Sequence, residues 1–325
     1  MRRRDFLKTS TAGLVILATG CSPALRDDAP ASNAAALPKR PYGKTGERLS
    51  IVGFSGLALA RIDQDQTNRL VAWAVEHGCN YFDVAPAYGD AEIKLGPALE
   101  PYRKNVFLST KTKCRDAEGA EFEFTRSLER LRTDHVDLYH LHCIQSPAAD
   151  VQAVFAKGGA WEFISKARKD GRIRYVAFSA HTEEAALAAL DTYDFDSFLL
   201  PINAAAWFNA GFGPKVLAKA AARGTQPIAI KPLARQAWTM PRKARSDLPF
   251  GRMWYQPISD DTERDLALRW ALSKPITALM PPHDADLWQK AVLCGMAYRP
   301  IDDAGIARLE DISKPLNPLF PQKQS

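Results

Sequence analysis

From residue 40 onward, short apolar runs alternate with longer stretches whose apolar residues recur at every third or fourth place. The runs at 50–54, 80–84, 106–111, 136–142, 173–179, 197–202, 227–231 and 276–280 predict strands. The stretches at 64–77, 91–99, 122–131, 162–169, 182–190, 214–223, 261–272 and 286–293 predict amphipathic helices. His77-Gly78, Asp170-Gly171 and Arg223-Gly224 supply glycine stops at three helix ends. Eight strands, each followed by a helix, predict a single-domain α/β fold, a (β/α)8 TIM barrel. A doubly wound sheet is the competitor, but no GxGxxG follows the first strand. The segment from Pro41 to Arg48, rich in turn formers, predicts an N-terminal β-hairpin that caps the barrel floor.

Ahead of the barrel the pattern changes. Met1-Arg2-Arg3-Arg4-Asp5-Phe6-Leu7-Lys8 precedes a short, moderately apolar run that ends in small residues at Cys21. That sequence is a secretory signal in outline, and the run is too short to span a bilayer core of about 20 residues. Arg3-Arg4 with Phe6-Leu7-Lys8 resembles the twin-arginine export signal, whose pathway carries folded proteins. Ala18-Thr19-Gly20-Cys21 resembles a lipoprotein processing site, with Cys21 as the lipid acceptor, although Leu17 stands one place further upstream than the pattern asks. A cleaved soluble signal with an incidental cysteine is the alternative. The expected plan is a signal at 1–20, a disordered Ala/Pro/Asp-rich tether at 21–39, the barrel at 40–315 and a tail at 316–325. The protein is then exported, and either periplasmic or membrane-anchored through Cys21.

Charge adds little once this segment is removed. The chain of 325 residues carries a formal net charge of +6, and Arg2, Arg3, Arg4 and Lys8 against Asp5 account for half of it. No Lys/Arg run interleaved with aromatics follows, so nucleic acid is not an expected partner. Membrane contact is expected only through the signal or a lipid, and the protein is expected to be a monomer. Of the remaining cysteines, Cys79, Cys114, Cys143 and Cys294 show no metal-finger spacing and read as free thiols. Cys114 and Cys143 follow neighbouring strands, so a redox-sensitive bridge at the barrel mouth is the alternative for that pair.

In such barrels chemistry sits at the C-terminal strand ends. The second strand ends at Asp83 and leads to Tyr88, the third ends at Lys111, and the fourth carries His140 and His142. Tyr88 suits proton donation, but a free phenol titrates near ~10, too high for an efficient acid at neutral pH. Lys111 is expected to lower the Tyr88 pKa, Asp83 to hold Lys111 charged, and His142 to orient a carbonyl oxygen. Protonating an oxygen that gains charge is half of a carbonyl reduction, and the other half requires a hydride donor. Blander readings exist for each: a plain ion pair for Asp83 and Lys111, a mouth-lining aromatic for Tyr88, a core histidine for His142. The His140-x-His142 spacing would also suit a metal-dependent barrel hydrolase, but no further ligands stand out, and no metal is expected.

The run Phe82-Asp83-Val84-Ala85-Pro86-Ala87-Tyr88-Gly89, then Ser109-Thr110-Lys111-Thr112, then Asp137-Leu138-Tyr139-His140-Leu141-His142, resembles the aldo-keto reductase family from residue 40 to about 295. The resemblance implies NAD(P)H-dependent reduction of an aldehyde or ketone, with the family's four catalytic positions on Asp83, Tyr88, Lys111 and His142. It also implies cofactor contacts at Ser179, Asn203 and Lys231. The cofactor half departs from the pattern. Ala180 follows Ser179, Leu199 stands where a glutamine aligns, and Ile230 replaces a stacking tyrosine. After the eighth strand, Pro281-Pro282-His283-Asp284-Ala285-Asp286 puts acids where a base would grip a 2′-phosphate, which leaves NADPH against NADH open. A non-catalytic ligand-binding lipoprotein on the same scaffold is the rival function. Trp161, Trp207, Trp238 and Trp254 are expected to be packing residues, with a pocket-lining role as the alternative. The mouth loops at 145–159 and 236–256 carry no motif that names a substrate.

Overall fold

The computed structural model describes residues 36–320. Residues 1–35, on which the expected export signal, Cys21 and most of the expected tether fall, and residues 321–325 lie outside the described residues. Eight parallel strands form one sheet in chain order: β1 (Phe54–Ser55), β2 (Tyr81–Asp83), β3 (Phe107–Thr112), β4 (Val136–Ile144), β5 (Ile173–Ala180), β6 (Ser197–Pro201), β7 (Gln226–Ile230) and β8 (Ala278–Met280). The ring closes where Val52 pairs with Leu279, whose N–H donates to Ile51 O at 2.9 Å and whose carbonyl accepts from Gly53 N–H at 2.9 Å. The fold is the expected (β/α)8 barrel. Its first strand is shorter than expected because Arg48–Ser50 pairs instead with Lys39–Pro41, forming the hairpin.

Period-two alternation divides each strand between two cores. Outward residues such as Phe82, Leu108, Tyr139, Phe178 and Phe198 pack under the surrounding helices. Inward residues Tyr81, Phe107, Leu138, Ala177, Leu199, Ile228 and Ala278 fill the barrel with hydrocarbon. The hairpin seals the lower end with Tyr42 and Leu49. The Tyr42 hydroxyl donates to Ser197 Oγ at 2.7 Å, and its ring meets Phe107 and Tyr175 edge-on at 5.3 and 5.6 Å. Arg174 ties the hairpin's Glu47 to Asp137 of β4. The barrel interior at this end is therefore filled with hydrocarbon, and the cavity described below opens at the upper end.

Helix starts follow their caps. Asp63, Asp116, Thr182, Asp260, Asp284 and Asp302 each accept a hydrogen bond from the backbone N–H three residues on. Asp116 starts the helix Ala117–Leu131 ahead of the apolar period that placed it at 122. Helices Ala204–Ala210 and Asp303–Ser313 have no counterpart among the expected ones. No helix among the described residues is long and apolar enough to cross a membrane.

One helix contact is so close that it fixes a residue type. A Cβ built on Gly96, within the helix Ala91–Leu99, would lie 2.1 Å from the carbonyl oxygen of Arg130. Backbone cannot rotate out of the way as a side chain can, so Gly96→Ala must push two helices apart. We expect a loss of about 1–3 kcal/mol in stability by denaturant titration. An unchanged midpoint would show that the helices separate freely.

Candidate active site

Strands β2, β3 and β4 lie side by side, with Asp83 in register with Ser109 and Lys111 with His140. The inward residues at their upper ends therefore converge. Asp83 is 4% and Lys111 1% exposed, and the Lys111 ammonium donates to Asp83 Oδ1. The same oxygen accepts from Ser109 Oγ at 2.6 Å, and Lys111 donates again to Val84 O at 3.0 Å. Burial pushes the Lys111 pKa down, and Asp83 pulls it back up.

Tyr88 sits on the turn between β2 and the helix Ala91–Leu99, whose bends are closed by Tyr88 N–H to Ala85 O at 3.0 Å and Ala91 N–H to Tyr88 O at 3.3 Å. Its ring stands edge-on to His142 at 5.7 Å and 5.5 Å from Lys111 Nζ. The expectation that Lys111 lowers the Tyr88 pKa is not met. Burial, reinforced by Asp83, raises it well above the ordinary phenol value. His142 is pushed down to about 2, first by burial and then by Lys111, so its imidazole is neutral. Its buried Nδ1 has no hydrogen-bond partner.

These four side chains line one wall of a cavity of about 340 Å³ at the upper end of the barrel. His140 does not reach it. That residue is wholly buried, its Nε2 3.7 Å from Asp83 Oδ1. Among the described residues no group of three or more His, Cys, Asp or Glu could hold a metal ion.

The opposite wall holds Ser179 and Lys231, with Leu199, Ile230 and Met280 giving it an apolar surface. Asn203 is not part of it. Its Oδ1 accepts from Ala206 N–H at 3.0 Å, so it caps the helix Ala204–Ala210 rather than facing the cavity. Ser179 Oγ accepts from Cys143 N–H at 2.6 Å, leaving the hydroxyl proton available as a donor. An apolar wall for a flat ring and a hydroxyl donor for a carboxamide oxygen together suit a nicotinamide. At the end of β8 the fit changes character. Asp284 caps the helix Ala285–Met296, and Asp286 in its first turn pairs with Lys290 at 3.1 Å.

The wall also carries His181, to which the sequence assigns no role. Cys143 and His181 meet at 3.0 Å, Sγ to Nδ1, and His181 Nε2 lies 2.9 Å from Lys231 Nζ. Burial pushes Lys231 down to about 7, against the pull of Cys143. Cys114 and Cys143 are both free, so the bridge considered for them is absent. Trp254 and Tyr255 line the cavity, whereas Trp161 packs on Tyr193, Trp207 on Trp270, and Trp238 under Arg245.

Residues 51–254 match the sequence pattern of the Aldo/keto reductase family, more than half of the chain. An aldo-keto reductase of Mycolicibacterium paratuberculosis is 36% identical over 141 residues, 42% of this chain and 48% of that protein. Another from Mycobacterium leprae is 35% identical over 146 residues, again 42% of this chain and 48% of that one. The chain thus aligns with about half the length of these curated relatives. Among solved structures, the holo form of the aldo-keto reductase AKR11C1 from Bacillus halodurans superposes with a TM-score of 0.65 at 20% identity, covering 89% of this chain and 99% of that one. The thermostable aldo-keto reductase Tm1743, solved with the inhibitor epalrestat, gives 0.63 at 18% identity, over 85% of this chain and 100% of that one. Those two likenesses concern the fold. The match over residues 51–254 goes further: this chain belongs to the aldo/keto reductase family.

Proposed function

We propose that this protein reduces the carbonyl group of a small aldehyde or ketone, with NADH or NADPH as hydride donor and Tyr88 as proton donor. The observation that carries the reading is the convergence of Asp83, Tyr88, Lys111 and His142 on one cavity wall from three strand ends. A nicotinamide cofactor, when bound, supplies hydride to the carbonyl carbon. Ser179 and Lys231 would hold it, with Leu199, Ile230 and Met280 against its ring.

The chain's own residues then manage the oxygen. Burial keeps Tyr88 protonated, so a hydroxyl donor is always presented to the carbonyl. Neutral His142 donates a second hydrogen bond and orients the same oxygen without adding charge. As the oxygen gains charge, Tyr88 releases its proton to it, and the nearby Lys111 ammonium stabilises the phenolate left behind. Asp83 keeps that ammonium charged and in place. Asp284 and Asp286 would meet a 2′-phosphate as like charges, which favours NADH. The chain leaves the cytoplasm by the twin-arginine route and is held at the membrane through Cys21, already folded around its cofactor.

Titrating the protein with NADH should quench tryptophan fluorescence, because Trp254 lines the cavity, and should do so at least as strongly as NADPH. Binding of neither at millimolar concentration would sink the reductase reading in favour of a non-catalytic ligand-binding lipoprotein. Tyr88→Phe should lower kcat roughly 10²–10⁴-fold while leaving the cofactor Kd unchanged. Because His142 is already neutral, kcat/KM should show no acid limb between about pH 5 and 8 that depends on it. An inflection near pH 6 that His142→Gln removes would contradict this. Cys21→Ser should move the protein from the membrane fraction to the soluble extract, and continued membrane retention would refute the lipid anchor.

A further inference from the structure

Strand alternation should send Cys143 away from the cavity, because its neighbour His142 points in. Instead both line it. The cause is a left-handed backbone at Cys143, φ 58°, which breaks the β4–β5 register between Leu141 and Ile144. That conformation is costly for a residue with a Cβ and persists only where its surroundings hold it. Here Ser179 Oγ holds it by accepting the Cys143 N–H.

The thiol so turned meets two nitrogen donors. His181 Nδ1 lies 3.0 Å from Sγ, and Gln145 Nε2 lies 3.5 Å from it. Behind His181, Lys231 Nζ sits 2.9 Å from Nε2. Lys231 is itself left-handed, φ 57°, with its ammonium between the rings of Trp254 and Phe320 at 5.5 and 5.6 Å. With Lys231 as the donor in that contact, Nε2 accepts. The ring proton then resides on Nδ1 and points at the sulfur. Two nitrogens thus face one sulfur at the cavity wall, with Lys231 one imidazole behind. Cys79 is pushed up to about 12 by burial, and Cys114 is raised by burial and by Glu123. Nothing in the proposed reduction uses the Cys143 sulfur.

We propose that Cys143 is a nucleophile whose thiolate adds to the β-carbon of α,β-unsaturated carbonyl compounds that enter the cavity. Tyr88 and His142 offer the donors that would hold the carbonyl oxygen, and Cys143 follows His142 directly in the chain. The S–C bond forms as the C=C π pair shifts toward the oxygen, and the α-carbon then takes up the proton that the thiol gave up. The net change is addition of S–H across C=C, with nothing oxidised or reduced. His181 and Lys231 are positioning residues. No hydride is involved, so the capture stands or falls separately from carbonyl reduction.

The test uses the full chain without any nicotinamide cofactor. Crotonaldehyde is added, and each cysteine's adduct is followed by time-resolved peptide mapping. Cys143 should react on the order of tenfold or more faster than Cys114 and Cys294. Lys231→Met and His181→Gln should each slow Cys143 by about tenfold, while Lys231→Arg keeps most of the rate. The ultraviolet thiolate absorbance lost in Cys143→Ser should also be lost in Lys231→Met, a signature that a merely structural role would not produce. Butyraldehyde, which has the carbonyl but no C=C, should protect Cys143 by occupying the cavity. Equal rates at Cys143 and Cys114, or an unchanged Cys143 rate in a folded Lys231→Met protein, would overturn the proposal.

Discussion

A lysine and an aspartate buried together at the ends of two strands hold the upper half of this barrel in order. Neither charge tolerates the interior alone. Breaking such a pair by removing one partner typically costs about 3–5 kcal/mol, because the other is left uncompensated. Here one oxygen, Asp83 Oδ1, gathers the Lys111 ammonium and the Ser109 hydroxyl, while Lys111 reaches on to Val84 O at the start of the Tyr88 turn. The pair therefore fixes the spacing of β2 and β3 and the take-off of the turn together. It also determines what surrounds it: the phenol is kept protonated by burial and by Asp83, and the imidazole neutral by burial and by Lys111. The charge sits on the lysine, and the groups that would face a substrate stay uncharged until an oxygen in front of them changes.

Much of this architecture was legible in the sequence because local signals agreed with the global fold. Helices Pro214–Arg223 and Asp261–Leu272 lie where expected, since a proline or an acidic cap marks each start and a glycine or serine each end. The helix Ala204–Ala210 was illegible for the opposite reason. Its run of small residues has no polar face, and it exists because Asn203 caps it and the surrounding core covers it. That cap also removed Asn203 from the cavity, a change that no spacing argument could anticipate.

The wall of Asp83, Tyr88, Lys111 and His142 was readable because strand ends in a barrel have only one place to go. On the facing side Ser179 and Lys231 were legible too, but the meeting of the Cys143 sulfur with the His181 imidazole was not. Alternation sends Cys143 outward, and only a left-handed backbone at that residue, invisible in composition or period, brings it back. The sign of the Tyr88 shift is likewise set by something that spacing does not show. Burying the phenol raises its pKa, and Asp83 adds to that, despite the ammonium of Lys111 nearby.

The hairpin beneath the barrel has a kinetic consequence. With Tyr42 bonded to Ser197 and aromatic rings filling the lower half, the barrel floor offers a ligand no passage, and the cavity opens at the upper end. Everything that enters leaves against the same traffic. Whichever ligand lies deeper cannot depart until the shallower one has gone, so arrivals and departures must follow a fixed order. Trp254 lines this cavity and, with Phe320, stands beside Lys231.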